Sequence, residues 1–87
     1  MIRSNIPSLD LHGENRDSAR VLVNEFIKDN CKLKNNMIVI VHGIGTGILK
    51  KEVHSILKIN KNVKKYYLDN FNIGCTIVEL YDTIDKI

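Results

Sequence analysis

The chain has 87 residues, enough for one small domain that buries roughly 60% of the surface of its unfolded chain. Its residues are 44% hydrophobic and 26% charged, which is typical of a globular domain and excludes fibrous and disordered classes. No apolar run approaches the ~20 residues of a membrane span, and Met1–Ser8 is too short and polar for a signal peptide. We therefore expect a cytoplasmic protein without a membrane partner.

The charge balance and the cysteines restrict the function further. The 13 lysines and arginines exceed the 10 acidic residues, so the net charge is +3 at pH 7. A mildly basic chain is compatible with nucleic acid but does not require it. Cys31 and Cys75 lie far apart without metal-ligand spacing, so we expect reduced structural thiols.

The first third of the chain predicts a strand followed by a helix. Leu9–His12 alternates apolar and polar residues, as a half-buried strand does, and Gly13 ends it. Asn15 is a suitable N-cap for a helix from about Arg16 to Asn30. The helical spacing of its apolar residues supports this prediction, and these residues are Ala19, Leu22, Val23, Phe26 and Ile27.

The middle of the chain predicts a buried strand and a second helix. Met37–Val41 is a continuous apolar run rich in β-branched residues, which is typical of a strand buried on both faces in a partly parallel sheet. An apolar stripe at helical spacing follows from Ile48 and predicts a helix that ends near Ile59 or Asn60.

Two further strands complete the chain. Val63–Leu68 and Cys75–Tyr81 have strand composition, and Asp69–Gly74 contains the asparagines and glycine of a hairpin connection. The order is therefore βαβαββ in one domain over residues 1–87, with its core at residues 9–81.

Two histidines are predicted to lie at the same edge of the sheet. If the first βαβ unit is a right-handed parallel crossover, its two strands end at the same edge of the sheet. His12 follows the first strand and His42 follows the second. Ligands of open α/β sheets bind at that edge, so we predict a site there.

Asp10 and His12 are candidate catalytic residues. Residues two apart on a strand project from the same face, so the carboxylate could orient the imidazole, or both could contact a metal-bound water. Alternatively, they are a polar pair at the edge of the core, with Asp10 accepting backbone hydrogen bonds near the turn. The spacing alone favours this structural alternative slightly.

The segment from His42 to Gly47 is a candidate anion site. Gly43, Gly45 and Gly47 leave backbone amides uncovered just before a helix, and Thr46 could act as its N-cap. The alternative is a tight turn that needs glycine for its backbone angles. The spacing matches neither the P-loop nor the dinucleotide-binding pattern, which argues against nucleotide hydrolysis and dinucleotide binding.

Lysines of the second helix are candidate phosphate ligands. Lys50 and Lys51 fall in its first turn, where they could contact a bound phosphate or extend into solvent. Tyr66 and Tyr67 face opposite sides of their strand, so at most one could stack on a base. His54 falls in the middle of the helix, away from the sheet edge, and we assign it no role.

Three ordered motifs make the sequence similar to the Smr (small MutS-related) domain family. The family's LDLHG motif resembles Leu9–Gly13, and its HGxGxG motif followed by a leucine and a basic residue resembles His42–Lys50. Its closing G-x-T-x-V-x-L strand resembles Gly74–Leu80. The resemblance covers the chain from Leu9 to about Leu80.

This resemblance implies a fold, an activity and a set of site residues. The fold is an α/β two-layer βαβαββ sandwich with a mixed four-stranded sheet and two helices. The activity is nucleic-acid binding, in several members with metal-assisted or nicking endonuclease cleavage of DNA or RNA, and some members act on ribosomes. The family's motif positions correspond here to Asp10, His12, His42, Gly43, Gly45, Gly47 and Lys50. The chain departs from the family at Ile44, often basic there, and at Lys50, commonly arginine.

We therefore predict a stand-alone Smr-type protein that binds DNA or RNA and hydrolyses a phosphodiester. Asp10 and His12 would position water or a divalent metal such as Mg or Mn, and His42 would assist proton transfer. The loop amides of residues 43–47, with Thr46 and Lys50, would hold the phosphate. A non-catalytic module that binds RNA, DNA or the ribosome is the alternative, and an anionic metabolite is a third, weaker ligand class. The sequence does not choose an oligomeric state.

Overall fold

The computed structural model describes residues 5–82, which form one mixed sheet with two helices. The elements are β1 (Ser8–Asp10), α1 (Arg16–Lys32), β2 (Met37–Val41), α2 (Ile48–Ile59), β3 (Val63–Asp69) and β4 (Asn72–Leu80). The strand order is β1-β2-β4-β3, in which β1 and β2 are parallel and the other two pairs are antiparallel. The predicted fold class is confirmed. The prediction of one domain over residues 1–87 includes residues 1–4 and 83–87, which lie outside the described part.

The helices cover one face of the sheet and form the main core with it. This core consists of Leu11, Ala19, Val23, Ile27, Ile38, Ile40, Val53, Ile56, Leu57, Val78 and Leu80. A smaller apolar cluster on the opposite face is formed by Val39, Cys75 and Ile77. Because Ile38, Val39 and Ile40 are all buried, the prediction of a strand buried on both faces is confirmed. No helix within the described residues is long and apolar enough to cross a bilayer.

The first strand is shorter than predicted. It ends at Asp10 and not at His12, because the chain turns immediately after Leu11. Leu11 still donates a backbone hydrogen bond to Val41, and its carbonyl accepts one from Glu14, which closes the turn. The helix that follows starts as predicted, since Asn15 and Ser18 cap it reciprocally.

The β3–β4 connection also differs from the prediction. We expected a loop over Asp69–Gly74, but β4 already begins at Asn72, so two residues join the strands. The polar side chains of this segment support the turn itself: Asp69 accepts from the Phe71 amide and Asn72 from the Gly74 amide. The short hairpin leaves Phe71 at its tip, 89% exposed.

Candidate functional site

The parallel pairing of β1 and β2 places their carboxyl ends side by side. Asp10 is in register with Val41, so the turn after β1 and the loop after β2 leave the same edge of the sheet. The predicted adjacency of the two ends is confirmed. The two histidines nevertheless differ in environment, because His12 is exposed whereas His42 retains only 7% of its accessible surface.

Asp10 contacts the backbone of the turn and not the ring of His12. Its Oδ1 accepts a hydrogen bond of 2.9 Å from the His12 backbone amide. The His12 imidazole forms no hydrogen bond to any residue in the described part of the chain. The carboxylate therefore fixes the turn that presents the imidazole to solvent, and both side chains remain accessible from outside.

Both ring nitrogens of His42 are engaged inside the protein. Nδ1 lies 3.0 Å from the carbonyl oxygen of Gly43, and Nε2 lies 2.8 Å from Oγ1 of Thr76 on β4. A carbonyl oxygen only accepts, so the proton of the neutral ring is on Nδ1 and Nε2 accepts from the Thr76 hydroxyl. These bonds fix the ring orientation at the start of the glycine-rich loop.

His54 belongs to the same chain of hydrogen bonds as His42 and Thr76. The prediction that His54 lies away from the sheet edge is therefore wrong. Its Nε2 lies 2.8 Å from Oγ1 of Thr76, and its ring centre lies 6.0 Å from that of His42. Since the Thr76 hydroxyl donates to His42, it accepts from the N–H of His54. The chain therefore runs from α2 through β4 to the loop after β2.

Burial keeps both histidines of this chain neutral. Desolvation is the main cause that lowers the pKa of His42. The hydrogen bond to the Gly43 carbonyl raises this pKa, and the positive charge of Lys50 lowers it further. Desolvation also lowers the pKa of His54, and repulsion from His42 and Lys50 adds to it. The hydrogen-bonded chain requires a neutral His42, because Nε2 of His42 accepts from the Thr76 hydroxyl.

The loop after His42 combines constrained and unconstrained glycines. Gly43 and Gly47 both have φ of +82°, a conformation that side chains disfavour, whereas Gly45 does not. Gly47 is also the N-cap of α2, so the expectation that Thr46 caps the helix is wrong. The Thr46 hydroxyl makes only a long contact of 3.4 Å with the amide of Ile48.

Several amides of the loop remain available to a ligand. The amide of Gly43 is occupied, because it donates to the carbonyl of Gly74 at 3.0 Å. The next four amides donate no hydrogen bond to any acceptor among residues 5–82, and they belong to Ile44, Gly45, Thr46 and Gly47. These four consecutive donors are the groups that an oxyanion would need.

These donors border a cleft of about 480 Å³, which we call the glycine cleft. One wall is the segment Ile44–Leu49 with His42, and the other is the start of α1 from Glu14 to Arg16. Arg16 is a cation that the sequence analysis did not assign to the site. It stands near Ile44, the position where related motifs often carry a basic residue.

Lys50 lies outside the glycine cleft, on the far side of Gly47. It lines a second depression, the lysine groove, which is formed by Gly47, Lys50, Lys51, His54, Ser55, Lys58 and Tyr66. The turn that carries Asp10 and His12 thus lies at the same edge of the sheet as the loop, but neither residue lines the glycine cleft, and Lys50 lines only the lysine groove.

The described residues contain no group of three or more His, Cys, Asp or Glu side chains able to hold a metal ion by themselves. Asp10 offers one carboxylate near the exposed imidazole of His12. A divalent ion such as Mg²⁺ often takes one or two carboxylates and completes its shell with water and substrate phosphate. A divalent ion at this turn would have the Asp10 carboxylate as its acidic ligand from the protein.

Comparison with known proteins places this geometry in a family. The family model described as "Smr domain" matches residues 9–81. Among curated relatives, an "Endonuclease MutS2" of Clostridium novyi (strain NT) is 33% identical over 82 residues, which are 91% of this chain and 10% of that protein. The "Endonuclease MutS2" of Geobacillus sp. (strain WCH70) is 39% identical over 75 residues, or 83% of this chain and 10% of that protein.

Two solved structures share the fold. The Smr domain of Thermus thermophilus MutS2 has a TM-score of 0.85 at 24% identity, covering 87% of this chain and 99% of that one. YdaL, a stand-alone small MutS-related protein from Escherichia coli, has a TM-score of 0.84 at 22% identity, covering 93% and 72%. The family match spans all three motif regions and all four strands except Ser8 of β1. The chain therefore belongs to the Smr domain family.

Proposed function

We propose that this protein binds nucleic acid at the edge where β1 and β2 end and hydrolyses a phosphodiester there. Curated relatives of this domain are named endonucleases, although the chain spans only 10% of their length. The observation that carries the proposal is a cleft lined by Arg16 and the loop with its four unoccupied amides, at the edge of the sheet where the exposed His12 turn also follows its strand.

Phosphate binding would use the glycine cleft. The amides of residues 44–47 provide preorganised donors for phosphate oxygens, and Arg16 offers a planar cation at the opposite wall. Ile44 is 67% exposed beside these donors and leaves the phosphate contacts to Arg16 and the backbone. Such contacts recognise the backbone and not the base, so DNA, RNA and the RNA surface of a ribosome are all candidate ligands.

Cleavage would use the turn after β1. In hydrolysis, water attacks phosphorus and gives up a proton to a base, the bond to the leaving oxygen breaks, and that oxygen takes up a proton. The exposed imidazole of His12 is suited to proton transfer, and the second carboxylate oxygen of Asp10 is suited to orienting the water. A divalent ion bound by Asp10 and the substrate phosphate would supply charge stabilisation.

His42 would act on the loop and not directly on the substrate. Both of its ring nitrogens are hydrogen-bonded within the protein, and its side chain is buried. Its role in proton transfer stays a prediction from the motif, whereas these contacts favour a positioning role. The same contacts favour the alternative function, a module that binds nucleic acid without cutting it.

A combined binding and cleavage assay tests the proposal. Labelled single- and double-stranded DNA and RNA are incubated with the protein in Mg²⁺, in Mn²⁺ and in chelator. We expect retention of at least one nucleic acid together with its cleavage, and loss of cleavage by ~10²–10⁴-fold in His12→Ala with retention unchanged. Retention without cleavage would favour the binding module, and the absence of retention would overturn both.

A further inference from the structure

The lysine groove is a second basic surface next to the glycine cleft. It has a volume of about 460 Å³ and runs along α2 towards β3. Lys50, His54 and Lys58 follow one another at intervals of four residues, so they form one stripe along the helix. Among residues 5–82, no acidic side chain lines the groove.

The charges of α2 are sorted between its two sides. Glu52 turns away from the groove and pairs with Arg20 of α1 at 3.1 Å. Among residues 5–82, Lys50, Lys51 and Lys58 form no ion pair. The groove therefore presents three positive charges that no neighbouring carboxylate of the described chain neutralises.

The groove also offers polar groups at its floor. The ring of Tyr66 packs against His54 at 5.1 Å, and its hydroxyl forms no hydrogen bond with any described residue. His54 is in turn joined through Thr76 to His42 at the start of the loop. The floor of the groove and the wall of the glycine cleft thus share one hydrogen-bonded chain.

The two depressions adjoin at Gly47, which lines both. The distance along α2 from Gly47 to Lys58 is about 16 Å at 1.5 Å per residue. A stacked strand advances about 3.4 Å per nucleotide, so this distance corresponds to about five nucleotides. The length and charge of the groove match those of a short stretch of phosphodiester backbone.

We propose that the lysine groove binds the phosphodiester backbone of a nucleic-acid strand that continues from the glycine cleft across Gly47 towards Lys58. This inference rests on the proposed function, since the strand enters the groove from the site at the sheet edge. Lys50 and Lys58 lie about 12 Å apart along the helix, so they contact phosphates about three to four nucleotides apart. The Tyr66 hydroxyl donates a hydrogen bond to the strand. Sequence is not read here, because all of these groups face the backbone.

Salt-dependent binding of an oligothymidylate of about ten nucleotides tests this inference. On single strands each lost phosphate contact lowers the slope of log affinity against log salt by about 0.7. Lys58→Ala should therefore lower the slope by about 0.7. The ratio of the affinity of the natural protein to that of Lys58→Ala should then shrink about 2.6-fold between roughly 50 and 200 mM salt. Lys58→Arg should keep the slope, because the charge remains.

Lys28→Ala is the matched control, since Lys28 is an exposed lysine on α1 that lines neither depression. The inference is overturned if Lys58→Ala and Lys28→Ala have the same slope while the natural protein binds. A dinucleotide adds a second criterion: it is too short to reach Lys58 from the cleft, so Lys58→Ala should bind it normally. Weakened dinucleotide binding would contradict a continuous path.

The test also separates this inference from the proposed function. Gly45→Ala adds a methyl group to a residue that lines the glycine cleft but not the groove. If Gly45→Ala binds normally and Lys58→Ala does not, the groove binds nucleic acid without the cleft, which overturns the continuous path and the cleft-based function. If the natural protein binds no oligonucleotide, both proposals fail.

Discussion

Replacing Thr76 with valine removes the hydroxyl that joins His42 to His54 while keeping the shape of the side chain. Thr76 is fully buried, and the Nε2 of His42 would lose its partner in a site with 7% exposure. An unpaired buried acceptor costs about 1–3 kcal/mol, and the half-buried His54 loses a bond worth roughly 0.5–1.5 kcal/mol. We therefore expect the free energy of unfolding to fall by about 2–4 kcal/mol.

Urea denaturation of the valine and serine variants measures this cost. Thr76→Ser keeps the hydroxyl and removes only a methyl group, which should cost roughly 0.5–1.5 kcal/mol. Combining Thr76→Val with His54→Gln should cost less than the sum of the two single changes, because both break the same chain. A valine variant as stable as the serine variant would refute the hydrogen-bonded chain as a stabilising element.

Three further outcomes are expected. Gly45→Ala should leave the free energy of unfolding within about 0.5 kcal/mol, because the φ of Gly45 is not positive and an added Cβ meets no protein atom within 4 Å. The same change should weaken oligonucleotide retention, because Gly45 lines the glycine cleft. Gly47→Ala, at φ +82°, should instead destabilise the fold by roughly 1–2 kcal/mol in the same denaturation assay; equal stabilities would contradict this assignment. The pKa values of His42 and His54 are lowered in the folded protein, so below the ordinary value of 6.5 the unfolded chain binds more protons than the folded protein does. Stability should therefore fall as the pH drops through that value. Urea denaturation curves at stepwise lower pH should show a weaker decline of stability in His54→Gln. Leu57→Ala, at a position 1% exposed, should cost about 2–5 kcal/mol by thermal or urea unfolding, and a cost below 1 kcal/mol would contradict its place in the core.

The regular elements could be predicted because their signals are local. The apolar run of Met37–Val41 and the helical stripe of α1 depend on periodicity alone, and both are confirmed, although α1 continues to Lys32. The predictions for the end of β1 and for the β3–β4 turn were wrong, because hydrogen bonds to side chains determine both features. Asp10 and Asp69 each accept from a backbone amide two residues ahead. The structural alternative for Asp10 anticipated such a bond, but the residue pattern did not show that the strand ends there.

The contacts between distant segments could be predicted only in part. The crossover rule correctly joins the ends of β1 and β2, because chain topology alone requires it. The link between His54 and Thr76 depends on how α2 packs on β4, and no local pattern specifies that packing. One signal was present: Thr76 shares its strand face with Val78 and Leu80, and a hydroxyl on an apolar face needs a partner.

Arg16 was missed for a similar reason. Its position at the start of α1 indicated only a helix residue, and its place at the glycine cleft follows from the approach of the two helix starts. The predicted catalytic roles of Asp10, His12 and His42 stay predictions, as do those of the loop and Lys50 in binding.

The central claim is that nucleic acid binds where β1 and β2 end. Mapping of amide chemical shifts during titration with an oligothymidylate tests this claim most directly. We expect the largest shifts at His12, in the loop of residues 43–47 and along the lysine groove to Lys58. Shifts confined to the opposite end of the sheet, around Lys34 and Asn36, would contradict it.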